Sequence, residues 1–167
     1  MAGDPFFTEG IKGTAIQLDG VDDHVRIPAS EHLSLSRFTL AAWVYIPGPV
    51  QSGWRAILEH DRWGENWYGI YKSTHGNFFH FRWSYTGTAD FNTVIEPDTW
   101  YHIAGTYDGN QAAMYMDGIP DGSVTAADAP TASFSGLRVG MNMDDGEAFR
   151  GIVDDVKIFN VALTGKE

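Results

Sequence analysis

Phe38-Thr39-Leu40-Ala41-Ala42-Trp43-Val44-Tyr45-Ile46 alternates with a period of two. Phe38, Leu40, Ala42, Val44 and Ile46 fall on one face, and Thr39, Ala41, Trp43 and Tyr45 on the other. That is the side-chain period of a β-strand. Pro47-Gly48-Pro49 follows and ends it, because proline offers no ladder donor. Working outward, residues 55–60, 68–72, 77–85, 100–107, 111–116, 137–141 and 151–159 read as further strands. Residues 15–18 and 24–27 read as a hairpin across Asp19-Gly20, and Thr74-His75-Gly76, Asp108-Gly109-Asn110 and Asp117-Gly118 read as turns. Short strands with regular turn signals predict an all-β sandwich or barrel.

The 167 residues suit one domain, and a chain this long buries enough surface to fold without staples. There is no cysteine, which excludes disulfides, thiolate metal sites and a cysteine nucleophile. The formal net charge of −11 makes nucleic acid and anionic membranes poor partners. No apolar run is long enough for a membrane helix, so no membrane insertion is expected. Met1-Ala2-Gly3-Asp4-Pro5 lacks the charged and apolar regions of a signal peptide. Residues 126–135 read as a surface loop, not as a linker.

Four blocks then carry a resemblance. Phe38-Thr39-Leu40-Ala41-Ala42-Trp43-Val44, Trp100-Tyr101-His102-Ile103-Ala104-Gly105-Thr106-Tyr107-Asp108-Gly109, Tyr115-Met116-Asp117-Gly118 and Gly151-Ile152-Val153-Asp154-Asp155-Val156-Lys157-Ile158-Phe159 occur in this order. Together they resemble the laminin-G-like, concanavalin A-like lectin-glucanase jelly-roll superfamily over about residues 13–164. The resemblance implies a two-sheet antiparallel jelly roll, residues 1–167 forming one domain excised from a longer protein, and an extracellular or cell-surface parent. It also implies a structural calcium ion on the first aspartate of the closing strand, Asp154, with further ligands from the N-terminal region. Asp19, Gly20 and Asp22 are the candidates here, if the first and last strands lie side by side. Calcium takes six to eight oxygen ligands, which carboxylates and carbonyls supply. Hydrogen bonding of Asp154 and Asp155 to amides or arginine is the competing reading.

Other constellations are weaker. Asn142, Asp144, Asp145 and Glu147 form an acidic loop that fits no EF-hand spacing and reads first as solvated, with a second calcium as the alternative. Residues 54–91 hold 11 of the chain's aromatic residues, including four of its six tryptophans. Phe79, Phe81 and Trp83 share one strand face, and His80 and Arg82 the other. Trp54, Trp63 and Trp67 sit in loops beside Asp61, Arg62 and Asn66. Rings that pack on the C–H face of a sugar, beside groups that bind hydroxyls, make these six residues the candidate ligand site. A loop folded on its own aromatics is the alternative. Glu59 and Glu65 faintly resemble a glucanase acid pair, out of the family's register. Tyr68, His80, Arg82 and Tyr85 could supply a lyase-like set that no motif supports. The six histidines show no zinc-protease spacing.

The expectation is therefore a non-catalytic carbohydrate-binding module stabilised by calcium. A protein-binding adhesion domain and a polysaccharide hydrolase or lyase are its rivals. The acidic surface argues against a strongly anionic glycan, although Arg55, Arg62 and Arg82 leave uronic or sulfated sugars open.

Overall fold

The computed structural model describes residues 3–64, 66–126 and 128–165. Its strands are β1 (Phe6–Glu9), β2 (Thr14–Asp19), β3 (Val25–Ile27), β4 (Phe38–Ile46), β5 (Arg55–His60), β6 (Tyr68–Lys72) and β7 (Phe79–Arg82). They continue as β8 (Thr88–Asp90), β9 (Thr99–Tyr107), β10 (Gln111–Met116), β11 (Ile119–Thr125), β12 (Leu137–Val139) and β13 (Arg150–Phe159). Among the described residues the only helical piece is a 3-10 turn, Glu31–Leu33, and no helix is long and apolar enough to cross a membrane. The strands form a seven-stranded sheet, β1-β2-β13-β4-β9-β10-β11, and a six-stranded sheet, β3-β12-β5-β6-β7-β8. Every pairing is antiparallel. The molecule is the expected two-sheet jelly roll.

The core lies between the sheets. Phe38 of β4 meets Tyr68 of β6 with ring centroids 4.9 Å apart, and Phe79 of β7 meets Tyr101 of β9 at 5.7 Å. Phe38, Tyr68, Phe79 and Phe81 are fully buried. Gly105 on β9 makes room for Phe81, since a Cβ there would stand 2.4 Å from its ring. The alternation read in residues 38–46 thus has its apolar face inward.

Two details of the N-terminal reading change. β2 and β3 are not a hairpin, because β2 belongs to the seven-stranded sheet and β3 to the other. The Asp19–Asp23 turn therefore carries the chain from one sheet to its partner. The predicted adjacency of the terminal strands does hold, since β13 pairs with β2 in the register Arg150↔Asp19 to Val153↔Ile16. That register places Asp154 four residues along β13 from the partner of Asp19, about 13 Å away at strand spacing.

Candidate functional site

The outer face of the six-stranded sheet builds the site. Cross-strand register sets one row, Glu59 of β5, Gly69 of β6, Arg82 of β7 and Thr88 of β8. A second row is Ala56, Tyr71, His80 and Asp90. Phe79 and Phe81 point inward, so His80 and Arg82, which alternate with them, point out. Gly69 leaves the floor open, because a Cβ there would stand 2.4 Å from the Leu58 carbonyl and 3.0 Å from the Tyr71 ring. Over this floor opens a cleft of about 440 Å³, lined by Trp54, Arg62, Trp63, Trp67, Tyr71, His80, Arg82, Tyr85 and Glu147.

Aromatic rings and guanidinium groups interleave along the cleft. Trp63 and Trp67 stand 5.0 Å apart, and Trp67 and Tyr85 6.0 Å. The Arg62 guanidinium lies 4.9 Å from the Trp63 ring and 5.4 Å from Trp67, while Arg82 stacks on Trp67 at 3.8 Å. Such contacts hold a cation without using its in-plane donors. Trp63 is 60% exposed and adopts φ +63°, a conformation a bulky side chain rarely takes. Its indole N–H donates to Asp144 Oδ2 at 2.7 Å.

Beneath the rings lies a closed polar chain. The Trp67 indole donates to the Tyr71 hydroxyl at 2.8 Å, which donates to Glu59 Oε2 at 2.8 Å. Glu59 Oε1 accepts the Met143 amide at 2.7 Å, and Oε2 also accepts from Arg62 at 3.1 Å. Burial pushes the Glu59 carboxyl up despite these donors. Arg62 donates to both Glu147 oxygens, at 2.9 and 3.0 Å, and its Nε lies 2.8 Å from Asp144. Arg62 is thus neutralised by acids. Arg82 is not. Its Nη1 donates to the backbone carbonyls of Ser84 and Tyr85, and among the described residues no carboxylate pairs with it. Burial lowers its affinity for a proton. His80 Nδ1 donates to Asp90 Oδ1 at 2.7 Å, and burial holds its imidazole below the ordinary range. A neutral ring bonded through Nδ1 keeps an acceptor lone pair on Nε2.

Four of the six anticipated ligand residues, Trp54, Arg62, Trp63 and Trp67, come together here. Asp61 and Asn66 do not. Asp61 Oδ2 accepts the Asn66 amide at 3.2 Å and packs under Gly64. Asn66 is 1% exposed, with its side-chain amide bonded to the Leu35 N–H and C=O at 3.3 and 3.0 Å. Asp61 thus closes its own turn, and Asn66 ties that turn to the distant Leu35 backbone. Tyr71, His80, Arg82, Tyr85 and Glu147 join the cleft; the strand alternation signals His80 and Arg82, whereas Glu147 arrives from a loop remote in sequence. The anticipated acidic loop of Asn142, Asp144, Asp145 and Glu147 is held by Arg62 and Arg138, and of its residues Glu147 lines the cleft. Of the suggested acid pair, Glu59 is wholly buried, and Glu65 lies outside the described residues.

The anticipated metal ligands also divide. Asp154 is 5% exposed, and its oxygens accept the amides of Lys12 at 2.8 Å and Asp155 at 2.7 Å. Asp155 bridges Lys12 and Lys157, each at 2.8 Å. Asp154 thus fastens the β1–β2 turn through backbone amides, about 13 Å along the strand from the partner of Asp19. Asp19 and Asp22 instead gather with Asp23, one carboxylate oxygen of each lying within 4.8 Å of the others. Gly20 forms the turn between them at φ +80°. Asp23 Oδ2 accepts the Asp19 amide at 3.0 Å, while Oδ1 is buried with no partner among the described residues. A buried carboxylate oxygen without a partner is costly, and a hard divalent cation has the chemistry to satisfy it.

A two-sheet antiparallel jelly roll is the lectin-like architecture, and here it carries an open aromatic cleft on one sheet. The chain belongs to the concanavalin A-like lectin/glucanases superfamily, whose laminin-G-type model matches residues 19–167. It is 26% identical over 141 residues to adhesion G-protein coupled receptor V1 of Danio rerio, covering 77% of this chain and 2% of the receptor's length. Domain 4 of AbnA, a GH43 extracellular arabinanase from Geobacillus stearothermophilus solved with arabinotriose, superposes with a TM-score of 0.82 at 20% identity, covering 99% of this chain and 79% of that one. The binding domain of botulinum neurotoxin serotype G superposes with a TM-score of 0.78 at 14% identity, covering 98% of this chain and 43% of that one.

Proposed function

We propose that this domain is a non-catalytic carbohydrate-binding module. The observation that carries the proposal is the cleft over Gly69, where exposed Trp63 and Tyr85 flank Trp67 between two guanidinium groups. Ring faces take the apolar side of a pyranose or furanose, and the Arg82 guanidinium stacked on Trp67 offers donors to its oxygens. The likeness to an arabinanase domain solved with arabinotriose supports a sugar as ligand. Among the described residues the acids at the cleft are engaged: Glu59 is saturated and buried, and Glu147 is held by Arg62. That favours binding over glycoside cleavage, which needs two free carboxyl groups across the scissile bond. A glycan array with the wild type and Trp63→Ala tests the proposal. Signals lost in the variant support it, and equal signals reject Trp63 as a contact. Release of reducing ends or unsaturated products from the bound polysaccharide would make the domain an enzyme.

The adhesion-receptor relative supports a second reading, a protein-binding adhesion role, which a bound protein partner and a silent array would favour. Either role fits an extracellular or cell-surface parent. A calcium ion at Asp19, Asp22 and Asp23 completes the proposal. It would satisfy Asp23 Oδ1 and stiffen the crossing between the sheets, on residues that do not line the cleft.

A further inference from the structure

We infer that the cleft is built for an acidic sugar, whose carboxylate docks on the Nε–Nη2 edge of Arg82. The inference rests on the proposed carbohydrate role and names the ligand class. Three arginines stood out in the sequence, and their environments differ. Arg62 is ringed by Glu59, Asp144 and Glu147. Arg55 pairs across the ladder with Lys72 and does not line the cleft. Arg82 alone lines the cleft without a carboxylate partner among the described residues. A half-buried cation without a counter-ion costs desolvation, which an incoming anion would offset.

The guanidinium is also preset in orientation. Its face stacks on Trp67 at 3.8 Å, and Nη1 is anchored to the Ser84 and Tyr85 carbonyls. The remaining in-plane donors, on Nε and Nη2, have the spacing of a planar carboxylate. Gly69, across the ladder from Arg82, adds no side chain beside that edge. Trp67, Trp63 and Tyr85 then supply ring faces for the sugar that bears the carboxylate. The overall charge of −11 does not prevent this. At physiological salt, exposed charges beyond about 8 Å are largely screened, and the acids nearest the cleft are already paired with Arg62.

The test uses oligogalacturonate, oligoglucuronate, oligomannuronate and sialyllactose, each beside its methyl ester, together with sulfated neutral oligosaccharides. Affinities are measured by calorimetry with the wild type, Arg82→Gln and Arg82→Lys. At least one acid should bind about tenfold or more tightly than its ester, as a charge-assisted pair requires. Arg82→Gln should level the two, and Arg82→Lys should recover only part of the preference, since lysine keeps the charge without the fork. An acid and ester bound equally by the wild type would overturn the inference and leave the carbohydrate role standing. Preference for sulfate over carboxylate would also overturn it. Binding of no sugar in the panel or on the wider array would remove both. The acid-against-ester comparison needs only wild-type protein, so a poorly folded variant does not decide the matter.

Discussion

Trp63 and Trp67 are neighbours with separable duties. Trp63 is 60% exposed, so Trp63→Ala should change stability by no more than about 0.5 kcal/mol while removing glycan binding. Trp67 is 6% exposed and is tied through Tyr71 to Glu59, so Trp67→Ala should cost about 3–5 kcal/mol in denaturant unfolding. Equal destabilisation by the two variants would refute this division. The sequence marks the tryptophans and Arg62, which line the cleft, together with Asp61 and Asn66, which do not. Asp61 satisfies nearby backbone, as short polar side chains in turns do, while Asn66 is drawn inward to the Leu35 backbone, which no local signal announces. Arg82 is legible through the period of two once Phe79 and Phe81 are known to face inward. Glu147 is not, because nothing local to residue 147 tells that its loop folds over Arg62.

At the level of elements, the closing strand divides two roles that its acidic motif had merged. β13 carries an irregularity between Asp154 and Lys157, and Asp155 sits at φ +48°. Asp154 takes up the Asp155 amide there, and its other oxygen holds Lys12. Asp154→Ala should therefore cost about 1–3 kcal/mol through two amides left without a charged acceptor. If calcium sits at the Asp19–Asp23 turn, EDTA should lower the melting temperature of the wild type and of Asp154→Ala alike, but not of Asp23→Asn. An EDTA response lost in Asp154→Ala and kept in Asp23→Asn would return the ion to β13. Gly69→Ala should destabilise by about 1–3 kcal/mol, because its Cβ would meet the Leu58 carbonyl, not a yielding side chain. Melting curves check it, and an unchanged transition would show that the floor can yield. The strands missed in the sequence had weak local signals. β11 contains Pro120 and Asp121-Gly122, residue types that weaken a strand signal, yet an edge strand tolerates proline. β8 is three residues long, and β1 exposes both its phenylalanines. The β2–β3 error has another origin: alternation gives a strand its two faces but not the sheet it joins.

Across the whole molecule, buried histidines make stability depend on pH. Burial holds His60, His80 and His102 below the ordinary imidazole range. His60 is fully buried, stacks on Tyr68 at 4.5 Å and donates through Nδ1 to the Asn66 carbonyl, so its neutral form is the one that fits. Below about pH 6.5 the unfolded chain takes up protons that the folded one refuses, and stability falls as pH falls. Glu59 acts in the opposite sense, because burial raises its carboxyl: its folded form keeps a proton that the unfolded chain has released, and stability falls as pH rises through that window. Between neutrality and mild acid the imidazoles outnumber it, although partly solvated His102 contributes least. The melting temperature should therefore drop from about pH 7.5 to about pH 5.5, by the equivalent of about 1–3 kcal/mol, and His80→Gln should make the decline shallower. A level profile would mean that these rings take up protons in the folded chain as readily as in the unfolded one.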